Sequence, residues 1–207
     1  MRRTKEQAAL TRQQILNAAL SVFGSKGYSA ATLEDIAQAA GVTRGAIYWH
    51  FDNKAELYNS LVLAYSARGT EITQQAVAEG GSLIDILRRV FINLLTAVEN
   101  EDTLRAVMEL YLFRTELNEE LQPGRQRQIQ AGQALIENIA SALRQGLKAG
   151  ILRADIDPID MARAFMALQN GAIQLWLMDP EAFSLSQNAE SLADIYINGI
   201  VPAGQGT

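Results

Sequence analysis

Every periodic stretch of this 207-residue sequence repeats its apolar residues at the spacing of an α-helix. The first stretch places Ile15, Ala18, Ala19, Val22 and Phe23 at the i, i+3, i+4, i+7 and i+8 positions of one helix face. No segment alternates convincingly with the two-residue period of a strand. Because an amphipathic helix buries its apolar stripe against other helices, the pattern predicts an all-α fold of about nine helices.

Glycines and capping residues predict where these helices begin and end. Gly27 is expected to end the first helix, and Thr32 with Asp35 forms a capping-box start for the second. The adjacent glycines at 80 and 81 form the clearest break in the chain. Asp157 followed by Pro158 is an unusually complete helix start, and that helix is predicted to reach Met178. The last helix is expected from about 186 to 200.

Composition excludes several classes of protein. The chain has no cysteine, so it has no disulfide framework, thiolate zinc site or cysteine nucleophile, and with one histidine we expect no metal and no cofactor. No stretch approaches the roughly 18 apolar residues of a membrane span. The basic start lacks the apolar run of a signal peptide, so a cytoplasmic protein without a membrane partner is predicted.

The net charge has opposite signs in the N-terminal part and in the rest of the chain. The chain carries a net −5, yet residues 1–60 hold seven basic and five acidic side chains, whereas residues 61–207 hold eleven and eighteen. A basic front on an acidic chain indicates that any polyanion contact is confined to the N-terminal part. A net +2 over sixty residues is also small enough to arise by chance.

Residues 41–54 read GVTRGAIYWHFDNK, which matches the turn and second helix of a helix-turn-helix. Gly41 lies in the turn between two short helices, and the second of such a pair can enter a major groove. Arg44 at its start can donate to guanine in bidentate fashion, and Gly45 and Ala46 let the backbone approach base edges. Ile47 and Phe51 are four residues apart and can both face inward; Thr43 can cap this helix.

Four side chains of the stretch then remain for the outer surface. Tyr48, Trp49 and His50 follow on the recognition helix, and Lys54 begins the next helix, where unpaired N–H groups also attract anions. Taken singly, the two large aromatics would be core residues and the histidine a satisfied surface residue. Together with the turn and the caps, the set favours phosphate contacts with DNA.

The segment TLEDIAQAAGVTRGAIYWHFDNKAEL, with RRTKEQAALTRQQILNAAL before it, resembles the DNA-binding signature of the TetR family of bacterial transcriptional regulators. It is most similar to the branch of multidrug efflux repressors typified by AcrR and TtgR. The resemblance covers about residues 2–62 and is loose beyond them, where WLMDPEAFSL resembles the loop before the family's last helix. It implies a helix-turn-helix DNA-binding domain over residues 1–55 and a helical ligand-binding and dimerisation domain over residues 56–207.

The resemblance also implies roles for individual residues. It implies base-edge contacts from Thr43, Arg44, Gly45 and Ala46, and phosphate contacts from Thr32, Tyr48, Trp49, His50 and Lys54. Arg2, Arg3 and Lys5 would form a basic arm. The protein would be a homodimer through its last two helices, bound to a palindromic double-stranded DNA operator.

The function so implied is that of a ligand-responsive repressor, released by a small hydrophobic effector and controlling an efflux pump operon. Two alternatives stay open: a regulator of a metabolic gene that answers to a metabolite or acyl thioester, and a DNA-binding protein without a ligand. An enzyme is not expected, because the acids and serines are spread along helix surfaces and no phosphate-binding loop is present.

An effector pocket would be mostly apolar with a few convergent polar groups. Polar residues within apolar helical stretches are the candidates, with Met and aromatic side chains as adaptable walls. The predicted ligand-binding residues are Tyr65, Arg105, Met108, Glu109, Leu112, Met166, Gln169, Asn170, Ile173 and Trp176. The alternative is an ordinary helical core, with Arg105 and Glu109 a simple i,i+4 pair.

Overall fold

The computed structural model describes residues 5–116 and 118–202, and within these ranges the chain forms nine α-helices, one 3₁₀ turn and no strand. The all-α prediction is therefore confirmed. The helices are α1 (Lys5–Ala30), α2 (Leu33–Ala40), α3 (Arg44–His50), α4 (Lys54–Ala78), α5 (Leu83–Asn100), α6 (Asp102–Phe113), α7 (Gln122–Lys148), α8 (Pro158–Met178) and α9 (Leu185–Ile200), with the 3₁₀ turn at Glu119–Leu121. The basic arm predicted at Arg2 and Arg3 lies outside the described residues.

The predicted capping residues act as expected. Thr32 forms a complete capping box, and the Asp157 carboxylate accepts a hydrogen bond from the backbone N–H of Ile159 at 2.9 Å. A second capping box, at Ser82, was not predicted. Gly27 interrupts α1 with φ 77°, a left-handed conformation that a side chain rarely adopts.

The chain divides into two compact units. Unit 1 comprises Met1–Arg68 and Thr103–Gln126, and unit 2 comprises Gly69–Asp102 and Arg127–Thr207. Unit 1 thus adds α6 and the 3₁₀ turn to the helix-turn-helix, whereas the predicted division falls after residue 55. That division concerns which residues bind DNA, and it stays a prediction.

The core of unit 1 joins the first three helices to later parts of the chain. Helices α1, α2 and α3 pack on one another around Ile15, Ile36 and Ile47, all fully buried. Val107 and Leu110 of α6 belong to the same apolar cluster. Any displacement of α6 therefore acts directly on the core that supports the helix-turn-helix.

In unit 2, α5, α8 and α9 pack on one another around a row of aromatic rings. The Phe165 ring of α8 stands edge-on to the Phe91 ring of α5 at 5.6 Å and to the Tyr196 ring of α9 at 5.1 Å. The Tyr196 hydroxyl donates to the Met161 carbonyl at 3.0 Å, so this buried polar group is satisfied. No helix in the described ranges is long and apolar enough to cross a membrane.

Glu99 at the end of α5 holds the start of α9. Its carboxylate accepts hydrogen bonds from the backbone N–H groups of Leu185 and Ser186, at 3.2 and 2.7 Å, and from the hydroxyls of Ser184 and Ser186. Burial alone would raise the Glu99 pKa, but these hydrogen bonds outweigh it and hold the pKa below its usual 4.5.

We expect Glu99→Gln to lower the free energy of unfolding by about 1 kcal/mol at neutral pH, because the amide has one acceptor oxygen and no charge. A lowered pKa stabilises the fold above 4.5, and this stabilisation is lost as the pH falls through the folded-state pKa. Urea unfolding from neutral to acid pH should therefore show the gap between wild type and variant closing in acid. The surface variant Glu137→Gln is the control, and a gap of constant size would contradict the assignment.

Candidate functional site

Helices α2 and α3 form the helix-turn-helix that the sequence predicts. Gly41 ends α2 in a left-handed conformation, with φ 64°, and its N–H donates back to the last turn of α2. Thr43 then caps α3, and its hydroxyl accepts from the backbone N–H of Ala46 at 3.2 Å. The turn is thus fixed by local hydrogen bonds, which set the direction of α3.

The inner face of α3 is anchored as predicted. Ile47 is fully buried and Phe51 is 2% exposed, both within the core of unit 1. The Arg12 guanidinium lies over the Phe51 ring at 4.9 Å and also donates to the Ser60 hydroxyl at 3.3 Å. These contacts leave the opposite face of α3 without a role in the core.

The outer face of α3 exposes aromatic side chains and an arginine. Trp49 is 67% exposed and Tyr48 46% exposed, although exposure of such large apolar rings is unfavourable in water. Arg44 donates to the Tyr48 hydroxyl at 2.9 Å, and its guanidinium lies 5.4 Å from that ring; this hydrogen bond raises the Arg44 pKa. His50 is half-buried, and its ring stands edge-on to Trp49 at 4.5 Å.

Gly45 lies on the same exposed face and has no packing reason to be glycine. A Cβ added there would approach only the Thr43 hydroxyl, at 3.8 Å. Its φ is not positive, so alanine would fit without strain. Ala46, the next residue, is half-buried. The open backbone at Gly45 is therefore available to a partner outside the protomer.

Two of the residues predicted to contact phosphate form hydrogen bonds within the same chain. Lys54 donates from its ammonium to the carbonyls of Tyr28 and Ala31, both at 3.0 Å, and lies 4.4 Å from the Tyr28 ring. The Thr32 hydroxyl donates to the Asp35 carboxylate at 2.8 Å and accepts from its backbone N–H. Both residues thus support the helix-turn-helix structurally, and their direct phosphate contacts stay predictions.

We expect Gly45→Ala to stabilise the fold slightly while weakening DNA binding about 10-fold. Alanine favours a helix over glycine by up to about 1 kcal/mol, whereas its methyl group would separate the α3 backbone from base edges. Gly24→Ala in α1 is the matched control, since a Cβ there meets nothing within 4 Å. Thermal unfolding and operator titration of both variants check this; unchanged operator affinity in Gly45→Ala would contradict it.

The predicted ligand-binding residues are divided between the two units. Tyr65, Arg105, Met108, Glu109 and Leu112 belong to unit 1, and Met166, Gln169, Asn170, Ile173 and Trp176 belong to unit 2. Burial raises the pKa of Tyr65 to about 12, so its phenol is neutral.

Burial separates the members of this list. In unit 2, Gln169, Ile173 and Trp176 are buried, whereas Asn170 is exposed. In unit 1, Met108 is buried and Glu109 is exposed. Exposure of Asn170 and Glu109 counts against an enclosed ligand around them, and the ligand roles of the whole set stay predictions.

The sequence did not predict the contacts between α1 and the segment after α6. The backbone N–H of Tyr28 donates to the Arg114 carbonyl at 3.1 Å, and the Ser29 hydroxyl donates to the Glu116 carboxylate at 3.2 Å. Partners separated by more than 80 residues leave no periodic signal. Gly27 was the available signal in the sequence, since a glycine near a helix end permits the left-handed conformation that leaves the next backbone N–H outside the helix.

Comparison with known proteins agrees with this geometry. Residues 15–61 match the model of the bacterial regulatory proteins of the tetR family, and residues 83–201 match the C-terminal region of the MAATS-type transcriptional repressors. The chain is 34% identical to the transcriptional regulator AcrR of Shigella flexneri, over 95% of this chain and 92% of that protein.

Two solved structures are also similar. One is NalD, the secondary repressor of the MexAB-OprM multidrug efflux pump of Pseudomonas aeruginosa, with a TM-score of 0.86 and 31% identity over 96% of this chain and all of that one. The other is the complex of triclosan with SmeT, the repressor of the Stenotrophomonas maltophilia efflux pump SmeDEF, with a TM-score of 0.81 and 28% identity over 94% and 93% of the two chains. The predicted likeness to the AcrR branch is confirmed. The chain belongs to the TetR family of bacterial regulatory proteins, and its C-terminal region is that of a MAATS-type transcriptional repressor.

Proposed function

We propose that the protein is a repressor that binds a palindromic operator as a homodimer and leaves it when a small hydrophobic effector binds. The observation that supports this most is the outer face of α3. Its inner face is anchored by Ile47 and Phe51, while Arg44, Tyr48 and Trp49 stay exposed beside the open backbone of Gly45. Arginine and small residues suit base edges, and aromatic rings with polar tips suit phosphates and sugars.

The proposed dimer uses the outer surface of α8 and α9. Leu175 and Met178 of α8 are 63% and 67% exposed, and Ile195 of α9 is 65% exposed. A groove of about 440 Å³ runs between the two helices. Large exposed apolar side chains on adjacent helices favour an interface with a second copy, and a dimer of helix-turn-helix proteins can read two half-sites.

The apolar residues of α8 and α9 divide between the protein core and the exposed surface. Ala162, Phe165, Ala172, Ile173 and Tyr196 are buried within the protomer, whereas Ile195 and Gly199 are exposed and Leu192 is half-buried. We therefore assign the first set to the core and keep the exposed members for the proposed interface.

The proposed release acts through unit 1. Helix α6 shares a core with α1, and the segment after it is hydrogen-bonded to Tyr28 and Ser29, whose carbonyls also accept from Lys54. An effector that displaces α6 would thus shift the support of α3 and change the spacing of two recognition helices from the roughly 34 Å between successive major grooves. It acts only through its different affinities for the two spacings.

We also propose that the protein controls an efflux pump and responds to small apolar compounds. This proposal rests on the likeness to NalD and to the SmeT–triclosan complex.

Footprinting on the DNA that flanks the protein's own gene tests whether the protein is a sequence-specific repressor. We expect protection of a near-palindrome with half-sites about one helical turn apart, with affinity that falls as salt rises. Equal protection of all DNA would contradict a sequence-specific repressor.

A further inference from the structure

Two hydrogen-bond donors of α8 are buried in unit 2 without an acceptor. Gln169 is 2% exposed and its amide nitrogen has no hydrogen-bond partner. Trp176 is 3% exposed and its indole N–H has none either. Burial of a donor without an acceptor is costly, and such groups are few in natural proteins. Two on one helix therefore require an explanation.

The two donors lie on one face of α8. They are seven positions apart, which is almost two full helical turns, or a rise of about 10 Å. Ala172 and Ile173 lie between them on the same buried face, and Phe165 lies one turn before Gln169. The face is therefore apolar along its length except for one amide and one indole N–H.

No countercharge is buried with these donors. Among the residues that the structure describes, Gln169 is the one polar or charged side chain classed as buried. The arginines of α5, Arg88 and Arg89, are ion-paired within unit 2 to Asp194 and Glu79. A charged group placed beside Gln169 would thus be buried unpaired, which is strongly unfavourable.

We propose that Gln169 and Trp176 form a donor pair that binds the acceptor oxygens of an uncharged, largely apolar effector. This rests on the proposed function, since it defines the effector of the same repressor. Carbonyl, ether and phenol oxygens have the required chemistry, because each accepts a hydrogen bond without bringing charge. A polyanionic acyl thioester lacks a partner for its charges at this position.

The test uses two pairs of probes that differ only in the acceptor, and one probe that adds a charge. Benzophenone and 1,1-diphenylethylene have nearly the same shape, but only the ketone accepts a hydrogen bond; cyclohexanone and methylenecyclohexane form a smaller pair, and 4-benzoylbenzoate adds a carboxylate. The chain has two tryptophans, so Trp49→Phe leaves Trp176 as the single indole in an N–H correlation spectrum. We expect the ketones to shift the Trp176 indole proton downfield, and the alkenes and the carboxylate not to do so.

Affinities measured by calorimetry should favour each ketone over its alkene by about 3- to 10-fold, the usual range for one neutral hydrogen bond. One carbonyl bonds one donor at a time, so the bound ketone is shared between Gln169 and Trp176. Gln169→Leu should therefore reduce this preference without abolishing it. It should also raise the melting temperature of the unliganded protein, because it removes a buried amide without a partner. Gln145→Leu, at an exposed position of α7, is the control and should change neither. A lower melting temperature with an unchanged preference would assign Gln169 a structural role only and overturn the proposal.

Two further outcomes would also overturn it: failure of every ketone to shift the indole resonance, and equal shifts from ketones and alkenes. Operator binding is measured on the unliganded wild-type protein, because Trp49 belongs to the proposed DNA-binding face. If the protein binds its operator and the ketones leave Trp176 unchanged, the donor pair is wrong and the repressor assignment stands. If the ketones shift Trp176 and no operator is bound, the repressor assignment fails by itself.

Discussion

Arg44→Ala is expected to weaken operator binding by between about 30-fold and 10⁴-fold. A bidentate arginine–guanine pair contributes about 1–3 kcal/mol, and a symmetric dimer loses two of them. The fold should be unaffected, because Arg44 is exposed and its one assigned partner, the Tyr48 hydroxyl, is exposed as well. Fluorescence anisotropy with a labelled operator measures the affinity, and circular dichroism checks the fold.

The matched control is Arg144→Ala. Arg144 is an exposed arginine of α7 paired with Glu137 at 2.5 Å, so its removal changes the net charge equally. It should alter operator affinity only slightly. If the two variants lost the same affinity, the effect of Arg44 would come from total charge, and the proposed base contact would be wrong. A loss that is equal for operator and random DNA would assign Arg44 to phosphate instead.

The double variant Leu175→Glu, Ile195→Glu is expected to convert the proposed dimer into monomers. Each protomer would place two carboxylates in the proposed interface, so a symmetric dimer would bury four without partners. The dimer dissociation constant should rise by at least about 100-fold, equivalent to roughly 3 kcal/mol. Light scattering after gel filtration should show the monomer mass. Operator affinity should fall as well, because one helix-turn-helix reads only a few base pairs.

The control for this variant introduces the same two changes elsewhere. Ile129 and Leu135 of α7 are 44% and 42% exposed, so Ile129→Glu, Leu135→Glu adds equal charge to another exposed surface. That variant should stay dimeric. If the dimer survived the changes at Leu175 and Ile195 but dissociated with those on α7, the interface would lie on α7 and the proposed interface would be wrong.

Local signals predicted the fold well. The caps at Thr32 and Thr43 and the left-handed turn at Gly41 depend on neighbouring residues, so they could be identified directly. The sequence also predicted in part which side chains of residues 48–51 are buried, because Ile47 and Phe51 lie one turn apart and both enter the core. His50, expected fully outside, is half-buried.

Contacts between distant segments could not be predicted. Lys54 donates to carbonyls that precede it by more than 20 residues, so nothing near it in sequence indicates a structural role. The hydrogen bond from Tyr28 to Arg114 places α6 with the helix-turn-helix, which periodicity alone cannot reveal. On α8, Leu175 and Ile173 are equally apolar, and only the packing of α5 and α9 decides which one is exposed.

Effector binding and operator binding are expected to oppose each other in this protein. The most direct test is an anisotropy titration of the footprinted operator, with and without a saturating amount of the neutral apolar compound that most raises the melting temperature of the free protein. We expect the compound to weaken operator affinity by about 5- to 150-fold, the usual range for coupled sites. An unchanged operator affinity at saturation would show that such a compound does not release the protein from DNA.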